Sequence, residues 1–112
     1  MPKVDLPEAV ARYLDAHRVH DTATALAQFC PDATVVDEGI TYSGGAAIAD
    51  WLNRAASEYT YTIELTASER LDATHVVAFH HLEGNFPGGV ADLRHQFTLA
   101  DGGRIARLII EP

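Results

Sequence analysis

The 112-residue chain reads as a single α+β domain, and three features of its sequence predict that class. Apolar residues recur at helical spacing through the first quarter. From Tyr59 onward they alternate at period two, as in half-solvated strands. Tight-turn signals such as Asp101-Gly102-Gly103 separate these strands. Helix, helix, strand, helix and then four long antiparallel strands is an α+β order.

Each element has a local reason. Asp5 can cap the first helix, with Pro7 in the first turn and Glu8 near the positive end of the helix dipole. Val10, Tyr13, Leu14 and His17 follow at helical spacing, which puts Tyr13 on the apolar stripe. After Val19-His20, Asp21 can cap a second helix with Ala25, Leu26 and Phe29 on its buried side. Pro31 and Asp32 are expected to end it, and so short a link predicts a helical hairpin. Ala33 to Asp37 reads as a short strand, with Ala33, Val35 and Asp37 on one face and Thr34, Val36 and Glu38 on the other. Gly39 interrupts it, Ile40-Thr41-Tyr42 extends again, and Ser43-Gly44-Gly45 turns into a third helix. Ile48, Trp51, Leu52 and Ala55 make the apolar face of that helix. The remaining strands are Tyr59 to Glu69, His75 to about Glu83, Val90 to Ala100 and Arg104 to Glu111. A turn at Arg70 to Thr74 and a loop at Gly84 to Gly89 join the first three. No repeat, low-complexity tract or linker divides the chain.

Size and charge narrow the function classes. A domain of this length buries about 60–68% of its unfolded surface, so it needs no disulfide or metal to fold. Lys plus Arg number 8 against 16 Asp plus Glu, a formal charge of -8. That balance repels phosphate backbones and anionic headgroups, so neither nucleic acid nor a membrane surface is expected as a partner. The single cysteine, Cys30, forms no internal disulfide framework and fits a reducing compartment. No apolar run approaches the roughly 20 residues that span a bilayer, and no signal-peptide pattern opens the chain. A cytoplasmic protein is expected.

Three residues stand out chemically. Asp37 ends a strand on the face of Ala33 and Val35, so its carboxylate lies at the edge of an apolar surface. It is either a partly desolvated general base or a strand-end residue facing turn amides and water. Tyr13 either directs its hydroxyl into a cavity or meets a structural partner in the core. His95 is the one titratable group on a face shared with Ala91, Leu93, Phe97 and Leu99, as a satisfied core histidine or as a catalytic group. His80 and His81 are adjacent in a strand and point to opposite faces. The six histidines form no ligand set, so no metal is expected. Cys30 has no evident activating neighbour.

The phrases Tyr13-Leu14, "FCPDATVVDEG", "YSGGAAIADWL" and "LRHQFTLADGGRIARLII", in this order, resemble the SnoaL-like branch of the nuclear transport factor two-like superfamily. The resemblance runs from about Pro7 to Glu111. It implies a cone-shaped, curved antiparallel sheet wrapped around three N-terminal helices, a small apolar ligand in the open end, and homodimers pairing through the outer sheet face. Polyketide cyclases, ketosteroid isomerase, epoxide hydrolases and non-catalytic binding proteins share that fold. Against ketosteroid isomerase, Asp37 matches the proton-abstracting aspartate. Tyr13, in an Arg-Tyr pair, matches the tyrosine that donates to the developing oxyanion. His95 falls where that enzyme carries a protonated aspartate, so an imidazole replaces the second donor.

The resemblance thus implies a cofactor-independent isomerase or cyclase with Asp37, Tyr13 and His95 as catalytic residues. Its substrate would be a small apolar carbonyl or polyketide-like molecule. Trp51, Phe79, Phe86, Phe97 and Leu108 are candidate walls of the site. His81, with Glu83, joins them if its strand face turns inward. The alternatives are a non-catalytic ligand-binding or dimeric interaction protein, and water activation of the epoxide-hydrolase type.

Overall fold

The computed structural model describes residues 6–58, 61–100 and 102–112, with the side chains of 55–58 excepted. Helix α1 (Glu8–Arg18) starts after Pro7, which occupies the N-cap rather than the first turn and supplies no side-chain acceptor. The expected cap, Asp5, lies outside the described residues. Val10, Tyr13 and Ala16, three residues apart, form the buried stripe of α1. Helix α2 (Thr22–Ala27) is capped as expected: Asp21 accepts the Thr24 N–H at 3.2 Å and the Thr24 hydroxyl at 2.6 Å.

The end of α2 departs from the sequence expectation. The helix stops at Ala27, and strand β1 (Phe29–Asp37) already contains Pro31 and Asp32. The cause is pairing: the Gln28 carbonyl accepts the Ile105 N–H at 2.8 Å, and Phe29 registers with Ile105. The chain is therefore captured by the last strand before it reaches the proline. Pro31 then sits in a register shift between Phe29 and Thr34, where a residue without an N–H breaks no ladder bond.

Strand β2 (Ile40–Ser43), helix α3 (Gly45–Glu58) and strands β3 (Tyr61–Arg70), β4 (His75–Gly84), β5 (Val90–Leu99) and β6 (Ile105–Glu111) complete the fold. They form one open sheet in the order β2-β1-β6-β5-β4-β3. All neighbours are antiparallel except β1 and β6, which run parallel. Further register shifts in the β3–β4 and β5–β6 ladders bend the strands, so the sheet curves around the helices. Of the expected boundaries, Tyr59 and Asp101 lie outside the described residues, and nothing is described of the Ala55 side chain. No helix among the described residues is long and apolar enough to cross a membrane.

Two local features set the geometry of the interior. Glu38 (φ 54°) and Gly39 (φ 76°) are both left-handed and connect Asp37 to its partner Ile40. That is the backbone of a two-residue type I′ hairpin, and it fixes Asp37 at the very end of β1. In β4, Val76, Ala78, His80 and Leu82 are buried in alternation, so this strand presents a histidine to the core.

Candidate active site

Strand β1 carries Ala33 and Val35 into the core and leaves Asp37 half-buried on the same face. Helix α3 brings Trp51 (4% exposed) against it, and the indole Nε1–H donates to Asp37 Oδ2 at 3.0 Å. A neutral donor orients the carboxylate without cancelling its charge. Among the described residues no cation forms an ion pair with Asp37.

Tyr13 lies entirely inside, at 0% exposure. Its ring meets Phe29 and Phe97 edge-on, with centroids 5.3 and 5.9 Å away, and stacks on His17 at 5.8 Å. Its hydroxyl is the one fully buried side-chain polar atom without a hydrogen-bond partner among the described residues. Burial, followed by the neighbouring Tyr61 and the Asp37 charge, holds this phenol far above the ordinary range. At any physiological pH it is a neutral O–H donor.

The other interior polar groups are imidazoles and a second phenol. His95 (3% exposed) lies on β5 with its ring stacked over Phe97 at 6.3 Å. Its Nδ1 is 3.1 Å from Nδ1 of His80, which is 4% exposed. Burial lowers both histidines, His80 to about 4 and His95 well below its usual value, with repulsion from His17 adding to each. His17 is itself lowered to about 4 by burial and then by His20. Its Nε2 lies 3.0 Å from the Tyr61 hydroxyl, which burial and the Asp37 charge push up. The rings in this interior are therefore neutral at neutral pH.

Of the residues predicted for catalysis, Tyr13 feels the Asp37 charge, and the Phe97 ring lies between Tyr13 and His95 in ring contact with both. Trp51 touches Asp37, and Phe97 and Leu108 are core residues of the same interior. Phe86, in the loop after β4, packs edge-on against Tyr61 at 6.5 Å. Phe79 and His81 are corrected: they alternate with the buried Ala78 and His80, so they point to the outer face of the sheet. There His81 bonds Asp92 at 2.7 Å and Glu83 at 2.9 Å, contacts that raise its pKa. Sequence reasoning did not single out His80 or Tyr61. The alternation that separates His80 from His81 leaves open which of them faces inward.

A cleft of about 310 Å³ opens between the end of α1 and the start of β3, lined by His17, Arg18, His20, Tyr61, Thr62 and Ile63. A void of about 10 Å³ lies beside it, against Asp21, Ala25 and Leu52. Neither is lined by Tyr13, Asp37 or His95. Tyr13 and His95 thus lie in the closed core, with Asp37 half-buried at its edge. Among the described residues no group of three or more His, Cys, Asp or Glu is placed to hold a metal ion.

A curved open sheet enclosing neutral donors beside one carboxylate defines a class of small cone-shaped α+β proteins. No protein-family model and no curated protein matches the chain. Among solved structures, a candidate polyketide cyclase from Sinorhizobium meliloti is 38% identical, covering 96% of each chain with a TM-score of 0.88. A ketosteroid isomerase-like protein from Catenulispora acidiphila, solved with trimethylamine, is 20% identical over 96% of this chain and 87% of its own, with a TM-score of 0.82. The epoxide hydrolase/cyclase-like enzyme SalBIII of salinomycin pyran-ring formation is 22% identical over 92% and 86%, with a TM-score of 0.79. These last two show the fold alone. The chain belongs to the SnoaL-like branch of the nuclear transport factor two-like superfamily.

Proposed function

We propose that the protein is an acid–base catalyst of the isomerase or cyclase type, acting on a small apolar carbonyl or polyketide-like molecule. The observation that carries this reading is the Tyr13 hydroxyl, fully buried and unpartnered among the described residues, in a core whose edge carries the carboxylate that Trp51 orients. A buried donor without an acceptor is rare in a folded protein, and a ligand oxygen would satisfy it. In this reading Asp37 takes a proton from the carbon alpha to the carbonyl. The electron pair moves onto the carbonyl oxygen, and Tyr13 and His95 donate hydrogen bonds to it as its charge grows. Return of the proton to another carbon completes an isomerisation; attack of the enolate carbon on a second carbonyl closes a ring. Substrate enters from the cleft, past the His17–Tyr61 pair.

The test is deuterium uptake at the alpha carbon of a panel of enolisable ketones and β-diketones in heavy water, followed by NMR. The wild type accelerates uptake, and Asp37→Asn loses about 100-fold or more while keeping its fold. Binding without any uptake would replace this reading by a non-catalytic ligand carrier, which the closed interior would also suit. The homodimer expected from the family is part of the same proposal, with the outer sheet face as its contact; light scattering checks it.

A further inference from the structure

His80 and His95 meet in a way that the acid–base reading leaves unexplained. In the β4–β5 ladder Ala78 registers with His95 and His80 with Leu93, so the two imidazoles meet diagonally on the inward face. Their Nδ1 atoms are 3.1 Å apart and their ring centroids 4.4 Å apart at 71°. Two nitrogens at that distance share one proton, since two lone pairs repel and two N–H groups would collide. Both rings are neutral at neutral pH, with burial and the nearby His17 opposing any charge. One ring therefore donates Nδ1–H, and the other accepts on a bare Nδ1. A neutral imidazole carries one N–H, so the accepting ring bears its proton on Nε2.

We propose that His80 is the donor, a positioning residue that locks His95 as its Nε2–H tautomer and so makes His95 a hydrogen-bond donor to the ligand. The choice of donor rests on the acid–base reading, because a developing enolate oxygen is attracted by an N–H and repelled by a lone pair. The reverse pairing would leave His95 with a bare Nε2. One further observation fits. His95 makes no other hydrogen bond among the described residues, which leaves Nε2 for a ligand.

The experiment is a long-range ¹H–¹⁵N correlation spectrum of the imidazoles in the full-length labelled protein at neutral pH. His95 should show a bare, pyridine-like Nδ1 and a protonated, pyrrole-like Nε2, and His80 the opposite. His80→Asn puts an amide N–H one bond past Cγ, where Nδ1 stood, and keeps the His95 pattern. His80→Leu removes the donor, and His95 spreads over both tautomers. A single Nδ1–H tautomer at His95 in the wild type, or an unchanged His95 pattern in His80→Leu, overturns the proposal. If His80→Leu fails to fold, the wild-type spectrum still decides between the two pairings. Turnover enters none of these readouts. A protein with the expected spectrum but no deuterium uptake refutes the acid–base reading alone, and uptake with the reverse tautomer refutes only the role given to His80.

Discussion

Tyr13→Phe removes a single oxygen from the centre of the molecule, and its effects on stability and activity should have opposite signs. The ring keeps its edge contacts with Phe29 and Phe97 and its stacking on His17. The lost hydroxyl has no hydrogen-bond partner among the described residues. An unpaired buried donor costs about 1–3 kcal/mol, so its removal should stabilise the fold by about 1 kcal/mol after the small void it leaves is counted. Urea unfolding should show a higher midpoint at unchanged slope, and the melting temperature should rise by about 4 °C for a domain of this size. The same substitution deletes the donor assigned to the developing oxyanion, and deuterium uptake should fall about 100-fold. A loss of stability of about 1 kcal/mol or more would show that the hydroxyl has a structural partner. The Tyr13 hydroxyl would then be a structural group rather than a donor held for a ligand.

Further perturbations separate the interior from the surface. Trp51→Phe deletes the indole N–H that orients Asp37; uptake should drop by about tenfold or more, with a stability cost of about 1–3 kcal/mol readable in the same urea titration. Acid should destabilise the protein early. The folded values of His17 and His80, about 4, lie below the ordinary 6.5, so the unfolded chain binds more protons between these limits. Stability is then complete above about pH 6.5 and is lost as pH falls toward 4, by up to about 3 kcal/mol per imidazole; replacing His80 by Asn should flatten that slope in urea titrations across the range. His81→Ala and Phe79→Ala, on the outer face, should leave deuterium uptake at the wild-type rate, and a large loss in either would contradict the strand parity observed in β4.

Much of this site was legible because strand and helix periods are rigid rules. Ala33, Val35 and Asp37 share a face in any strand that contains them, and Tyr13 follows Val10 by three residues in any helix. What stayed closed depended on partners distant in sequence. The start of β1 was missed because Phe29 is recruited by Ile105, which lies 76 positions further along the chain, and no local signal competes with Pro31. The parity of β4 was undecided for a similar reason. Val77, Phe79 and His81 make as apolar a row as Ala78, His80 and Leu82, and only packing against the rest of the sheet selects one. Tyr61 gains its significance from His17 across the mouth of the cone, a contact between α1 and β3.

The polar interior also has a direction. Tyr13, Tyr61 and Trp51 offer O–H or N–H groups, and burial keeps both phenols and the imidazoles uncharged. The only carboxylate among them is Asp37, at the end of β1, stabilised by one neutral donor. A site built in this way gains most when negative charge leaves the edge carboxylate and appears on an oxygen deeper inside, where the Tyr13 hydroxyl, unpartnered among the described residues, lies in a low-dielectric setting. Proton abstraction next to a carbonyl moves charge along that path. The proposed enolate-forming chemistry would draw on that distribution of donors and acceptors whatever the substrate's identity.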